Sequence, residues 1–203
     1  HPDFPDGSET QAMGSAIDLI PTILAATGLD KGQRDARYPS LKGHDLLPTL
    51  SGGKSSRDQT GILIYNSFLM STSDADIVVE GIRKLITGEI QSAKAASPNV
   101  VSGVRGLIRA IHTGRYKFAR YFSSGEHHCP TDWHMLTTYN DLELYDLEND
   151  PQELINLAAD PETHQDLILD LNRRLNGLIE HEIGPDTGRE LPGSPEVYQL
   201  NVV

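Results

Sequence analysis

The chain is 203 residues long with a formal charge of −12 at pH 7, eight His and a single Cys. That length can bury the core of one domain or a domain and a half. The acidic balance excludes a nucleic-acid binder working through a basic stripe, and the lone Cys129 excludes an intrachain disulfide or a multi-cysteine zinc site. Hydrophobic residues make up 37% and mean hydropathy is −0.37, polar for a folded domain; no apolar run approaches the roughly 20 residues that cross a bilayer. The chain opens on His1, not Met, which reads as a processed or trimmed product or a piece of a longer one.

Residues His1 to Ser8 carry two prolines and a glycine and read as loop. A helix is expected from Asp18, whose carboxylate can cap first-turn amides, with Pro21 where a missing N–H costs little and Gly28 as the stop. Ile20, Ile23, Leu24 and Thr27 share one face of it. Lys31 to Tyr38 is polar and exposed. Leu46, Leu47 and Leu50 form a small apolar turn before the surface loop Gly52-Gly53-Lys54-Ser55-Ser56. That loop shares only its Gly-Lys-Ser end with a phosphate loop, and no strand leads into it. Gly61 to Tyr65 is a buried strand.

Asp76 to Ile90 is expected as a helix in preference to a strand, and the small, polar Gln91 to Gly103 as loop or insertion. Leu107 to Ile111 and Tyr116 to Phe122, joined through Thr113-Gly114, form a hairpin. Leu142 to Tyr145 adds the next strand. Asp160-Pro161 opens a helix with Leu167, Ile168, Leu171, Leu175, Leu178 and Ile179 in one stripe and Asp166, Asp170, Arg173, Arg174 and Glu180 outside it. Gly184-Pro185 ends it, and 185–203 reads as an extended or disordered tail. There are no internal repeats.

Glu126 to His134 is the densest run of reactive side chains, with three His and a Cys. Its spacing matches no zinc finger, and adjacent His127 and His128 turn to one ion only if the backbone kinks. The plainer reading is a polar surface loop with a half-buried Trp133. Asp146, Glu148 and Asp150 alternate as in a calcium loop, but Pro151 and Leu157 stand where that loop needs Gly and Glu. A turn accounts for them. His44 and Asp45 are adjacent, and neighbours in sequence usually diverge in space; they read as the start of the apolar turn.

Four stretches, in order, resemble the sulfatase family of the alkaline-phosphatase-like superfamily. Glu143-Leu144-Tyr145-Asp146-Leu147-Glu148-Asn149-Asp150-Pro151-Gln152-Glu153-Leu154-Ile155-Asn156-Leu157 is close to its E-L-Y-D-L-x-x-D-P-x-E-x-x-N-L signature. Ile17 to Gly28 is similar to its D-L-x-P-T-L-L-x-x-x-G helix, and Leu41 to Leu46 to its G-x-D-L segment. The hairpin resembles its R-A-I-R-T-x-R-Y-K-Y-I run. The resemblance implies an α/β fold, the C-terminal part of an alkaline-phosphatase-like fold, with a small antiparallel sheet packed by a long C-terminal helix. It divides the chain into 1–70 (end of the α/β domain), 71–103 (variable insertion), 104–184 (hairpin, strand and helix) and 185–203 (tail).

The parent enzyme so implied hydrolyses sulfate esters of a small molecule or sugar, with a formylglycine or serine nucleophile in C/S-x-P-x-R and a calcium ion. Relatives cleaving phosphate or phosphonate esters share the fold. Cys129-Pro130-Thr131-Asp132 does not fit the nucleophile pattern, and the paired aspartates that lead the metal site are missing. The chain is therefore expected to hold no catalytic and no metal residues, to need an N-terminal catalytic portion, and to be inactive alone. In the family the loop after the hairpin reaches the substrate pocket, which makes His127, His128, Trp133 and His134 candidates for substrate contact. The family also implies a periplasmic or secreted setting. The competing expectation is a non-catalytic support or protein-binding module. A truncated flank would leave Ile20, Ile23, Ile62 and Ile64 facing nothing.

Overall fold

A computed structural model describes residues 9–50, 52–66, 83, 86–88, 105–189 and 191. The elements in order are α1 (Leu19–Ala26), α2 (Lys31–Arg37), α3 (Leu47–Leu50), α4 (Arg57–Thr60), β1 (Ile62–Asn66), β2 (Leu107–His112), β3 (Tyr116–Phe122), α5 (Trp133–Tyr139), β4 (Asp141–Asp146) and α6 (Pro161–Glu182). The strands form one sheet in the order β1-β2-β3-β4. The expected fold, a mixed α/β chain with a small antiparallel sheet and a long C-terminal helix, is what the chain adopts. The helix expected over Asp76 to Ile90 and the loop from Gln91 to Gly103 lie outside the described residues, apart from 83 and 86–88.

Turn chemistry fixes the strand directions. Thr113 closes the β2–β3 hairpin, its N–H donating to Tyr116 O at 2.8 Å, while Gly114 takes φ +89°, a left-handed value that glycine adopts without strain. Leu147 N–H, just past β4, donates to Arg115 O, just before β3, at 2.7 Å, as antiparallel neighbours require. At the other edge Gly61 precedes β1 at φ +88°, and a Cβ there would stand 3.0 Å from the His112 carbonyl that ends β2.

The chain forms two compact units. The first comprises His1–Ile64, Ala110–Phe118 and Glu143–Pro185; the second comprises Tyr65–Arg109, Ala119–Leu142 and Asp186–Val203. In the first, α6 starts as expected, with Pro161 at its first position and Asp160 accepting from Thr163 N–H at 3.4 Å. Ile168, Leu171, Leu175, Leu178 and Ile179 are buried on its inner stripe, each contributing ~1.5–3 kcal/mol by leaving water. In the second, Leu107, Phe122 and Leu191 form a buried apolar cluster.

The Glu143 to Leu157 stretch is a polar clasp within the first unit. Asp146 receives Arg115 at 2.8 Å and Asn149 Nδ2 at 2.9 Å. Asp150 accepts from Ile155 N–H at 2.8 Å, and Lys117 Nζ meets Glu153 Oε2 at 2.5 Å. Asn156 Oδ1 accepts from both Leu144 N–H and Ala158 N–H at 3.0 Å, tying strand to turn. Glu153 pays a local cost, with φ +57° in the left-handed region. The carboxylates of Asp146, Asp150 and Glu153 hold an arginine, amide groups and a lysine.

Three local expectations change. Asp18 precedes α1 but makes no side-chain cap on it; the carboxylate is spent on Arg57 and on two other amides. The β1 strand, expected buried, is partly open, with Ile64 38% exposed; on α1, Ile20 and Ile23 are 55% and 62% exposed, the exposure expected for a truncated flank. Finally, the Gly52–Ser56 loop is anchored. Gly53 N–H donates to Pro48 O at 2.8 Å, and Ser55 Oγ donates to Met13 O at 2.6 Å. Gly53 is required there, because a Cβ would fall 2.6 Å from the Pro48 carbonyl oxygen.

Candidate functional site

Two buried charged centres stand out, one in each unit. In the second unit, β2 and β3 each bring an arginine to a buried position, Arg109 and Arg120. Arg109 Nε donates to Asp186 Oδ2 at 3.1 Å, and its guanidinium lies 3.4 Å from the centre of the Tyr65 ring. Tyr65 Oη donates to Asp186 Oδ1 at 3.0 Å, and His127 Nε2 lies 2.9 Å from the same oxygen. Burial alone would raise the Asp186 carboxyl, but the His127 and Arg109 hydrogen bonds outweigh it and hold it far below the carboxylate range. Burial pushes the Arg120 guanidinium down to about 10, against the pull of Cys129 and Asp186.

Asp186 is thus saturated with donors and strongly ionised. It is unsuited to take a proton as a general base near neutral pH, and it works instead as an anchor. The segment expected as a tail begins packed: the Asp186 side chain is 3% exposed and Leu191 3%. Gly188, at φ +68°, lies so close that a Cβ would stand 2.8 Å from His127 Nδ1.

The four candidate contact residues are not gathered on one spot. His127 joins the Asp186 centre and tilts against Phe122 at 5.6 Å. His128 Nδ1 lies 2.6 Å from Glu126 O and its Nε2 3.3 Å from Asn140 Nδ2, with its ring edge-on to Tyr139. Trp133 is half-buried and His134 exposed. The expected surface loop is helical from Trp133 onward, because Asp132 accepts from Met135 N–H at 2.9 Å and caps α5. Sequence reasoning passed over Arg109, Arg120, Tyr65 and Asp186. The available signal was an arginine inside each of two otherwise apolar strands, since a buried guanidinium needs a partner.

In the first unit, Arg57, fully buried, sits between Asp18 and Glu182. Its Nη2 donates to Asp18 Oδ1 at 2.6 Å, its Nε to Asp18 Oδ2 at 3.0 Å, and its Nη1 to Glu182 Oε1. Asp18 also accepts from Ser15 N–H at 2.8 Å and His44 N–H at 2.7 Å. Burial opposes its ionisation, but Arg57 and the two amides outweigh burial, so the carboxyl stays below its usual range. Thr22 Oγ1 donates to Asp18 O and accepts from Leu46 N–H, pinning the 43–46 segment onto α1.

That segment walls a cavity of about 430 Å³ whose lining includes Pro21, Tyr38, Leu41, Lys42, His44 and His181. Burial, then the Arg57 charge, lowers the His44 imidazole below its ordinary value, with Asp18 and Glu182 pulling the other way. Among the described residues no three His, Cys, Asp or Glu side chains converge as a metal site. No described helix is long and apolar enough to cross a membrane.

No family model and no curated protein matches the chain. Among solved structures it is similar to the crystal structure of the phosphonate monoester hydrolase of Agrobacterium radiobacter, at 21% identity and a TM-score of 0.49. The match covers 86% of this chain and 27% of that one, so the chain spans about a quarter of that protein's length. The activity in that name is that protein's own.

Proposed function

We propose that this chain is the C-terminal portion of a sulfatase-like hydrolase, an alkaline-phosphatase-like protein whose whole product cleaves sulfate esters. The observation that carries the reading is the ordered run of four family-like stretches, the last of which closes as a clasp through Asp146, Asp150, Glu153 and Asn156. A motif engaged in holding backbone amides and basic side chains fits a scaffold. In this reading the nucleophile and the calcium ligands sit in the N-terminal catalytic portion, and this chain supports them and is inactive alone. The exposed apolar face of α1, with Leu19 59% and Ile23 62% accessible, fits a piece that flanks a larger sheet. A sulfated small molecule or sugar is the substrate class, and a periplasmic or secreted setting accompanies it.

The test has two steps. The coding DNA upstream of His1 is read for an in-frame C/S-x-P-x-R, and the longest natural product is assayed beside the 203-residue chain on 4-nitrophenyl sulfate, 4-nitrophenyl phosphate and a phenylphosphonate ester. The expected result is no turnover by the chain alone and fastest turnover of the sulfate by the longer product. Preference for the phosphate or phosphonate would move the protein to that branch of the superfamily. A longer product with no such motif and no turnover would overturn the enzyme reading and leave a protein-binding module.

A further inference from the structure

In the second unit the His128 ring lies between the turn that follows β3 and the end of α5. Its Nδ1 is 2.6 Å from the Glu126 carbonyl oxygen. A carbonyl oxygen only accepts, so Nδ1 carries a proton. The other nitrogen faces two partners of opposite kind. Nε2 is 3.3 Å from the Met135 carbonyl oxygen, which only accepts, and 3.3 Å from Asn140 Nδ2, which only donates. The Asn140 orientation is set independently, because the same Nδ2 donates to Leu136 O at 2.9 Å. Leu136 O is among the last four carbonyls of α5, which have no partner inside the helix.

Each partner of Nε2 requires a different state of the ring. A neutral ring protonated at Nδ1 leaves a lone pair on Nε2, which accepts the second Asn140 N–H and offers the Met135 oxygen nothing. A ring that has taken a second proton donates to Glu126 O and Met135 O together, and Asn140 keeps Leu136 O alone. The neutral arrangement satisfies an amide that is 4% exposed; the charged one gives Met135 O a charge-assisted bond. Imidazole is the side chain whose ordinary charge change falls between about pH 8 and 5, so one proton from water selects the arrangement.

The ionisable groups around the ring are already engaged. Arg105 at 3.2 Å, and then Ser123 at 2.9 Å, hold the Glu126 carboxyl below its usual range, with a smaller pull from His128 itself. Arg105 is shared with Asp141 at 2.8 Å, and Tyr139 meets the ring edge-on at 5.1 Å. His127 is engaged by Asp186, and His134 by Thr138.

We propose that His128 is a proton-operated latch on the 126–135 loop: neutral, it is held by Asn140; protonated, it clamps the Glu126 and Met135 carbonyls together. The clamp joins positions two residues before and seven residues after the ring, across the run that carries His127, Cys129 and the α5 cap Asp132. A charged donor bonds more strongly than a neutral one, so the loop is firmer in acid.

The experiment follows the 203-residue chain by nitrogen and carbon NMR from about pH 8 to about pH 5.5. At the alkaline end the His128 ring should be protonated at Nδ1 and bare at Nε2. As pH falls, the Asn140 side-chain amide and the Met135 carbonyl carbon should shift with the same midpoint as the ring. Exchange of the Leu136 amide, which donates to Asp132 O at 3.1 Å, should slow about three- to tenfold after correction for pH. A neutral ring protonated at Nε2, or a ring that takes no proton in this range, would overturn the proposal. So would a titration that Asn140 and Met135 do not follow, or Leu136 exchange that stays the same or quickens. Asn140→Asp puts an acceptor where the donor stood, so Nε2 should keep its proton to a midpoint about one pH unit higher or more. An unchanged or lower midpoint in that variant would also count against the latch, and the parent titration decides alone if the variant does not fold.

Discussion

Replacing Arg57 by Met is the sharpest test of the first unit, because it keeps a long side chain and removes only the charge and its donors. Arg57 and Asp18 are fully buried and the Glu182 side chain is 4% exposed, so the variant strands two carboxylates away from water. Breaking a buried ion pair by removing one partner costs about 3–5 kcal/mol, since the remaining charge has no compensation. For a chain of this size that lowers the melting temperature by roughly 6–20 °C. Acid changes the comparison in a defined direction. Asp18 is held below its ordinary 3.8 in the parent, so its contribution is present above that value and is lost as pH falls through the folded one. Without Arg57 the carboxylates rise instead, and protonation relieves them. The gap between variant and parent should therefore narrow as pH falls from about 7 towards about 4. Urea unfolding followed by circular dichroism measures the gap, and amide exchange at Ser15 and His44 reports the Asp18 end directly. A loss below about 1 kcal/mol, the worth of a surface pair, or a gap that widens in acid, would refute the reasoning.

Asn156→Ala removes the acceptor shared by Leu144 and Ala158 N–H and should cost about 1–3 kcal/mol in chemical denaturation. Asn156→Asp, which keeps the acceptor, should lose less. Asp146 should titrate at about 2 by carbon NMR, held down first by Arg115 and then by Asn149. Its contribution to stability is present above the ordinary 3.8 and is lost as pH falls through about 2; Arg115→Gln should return the titration towards normal. Gly188→Ala forces a Cβ against His127 at a left-handed φ and should destabilise the second unit by about 1 kcal/mol or more. Faster exchange of the Leu191 amide, which donates to Gly188 O, is the local readout.

The hairpin, the β4 strand and α6 were legible because their information is local: alternation, a glycine at a turn, a stripe at helical spacing, and Asp-Pro at a helix start. The α5 helix was hidden because Trp133-His134-Met135-Leu136-Thr137-Thr138-Tyr139 carries no clean apolar period, and the Asp132 cap with a single buried Leu136 is what sets it. Asp18 looked like a cap because a cap and a buried ion-pair partner are the same residue type at the same place. The two charged centres left little local trace beyond the arginines inside β2 and β3, because their partners lie far along the chain. Arg109 meets Asp186 77 residues away, and Arg57 meets Glu182 125 residues away. The candidate histidines were visible by composition, but their partners were set by how the chain returns on itself.

The span of the Arg57 cluster also imposes an order on biosynthesis. Asp18 and Arg57 are 39 residues apart, and Glu182 follows 125 residues after Arg57. The clasp closes over separations of five residues from Asp150 to Ile155, 12 from Leu144 to Asn156 and at most 36 from Lys117 to Glu153, all upstream of Glu182. The newborn chain therefore carries Arg57 with one of its two carboxylate partners while the clasp is already made. Only when the last turn of α6 emerges does Arg57 gain its second carboxylate, so the first unit is completed from its C-terminal end.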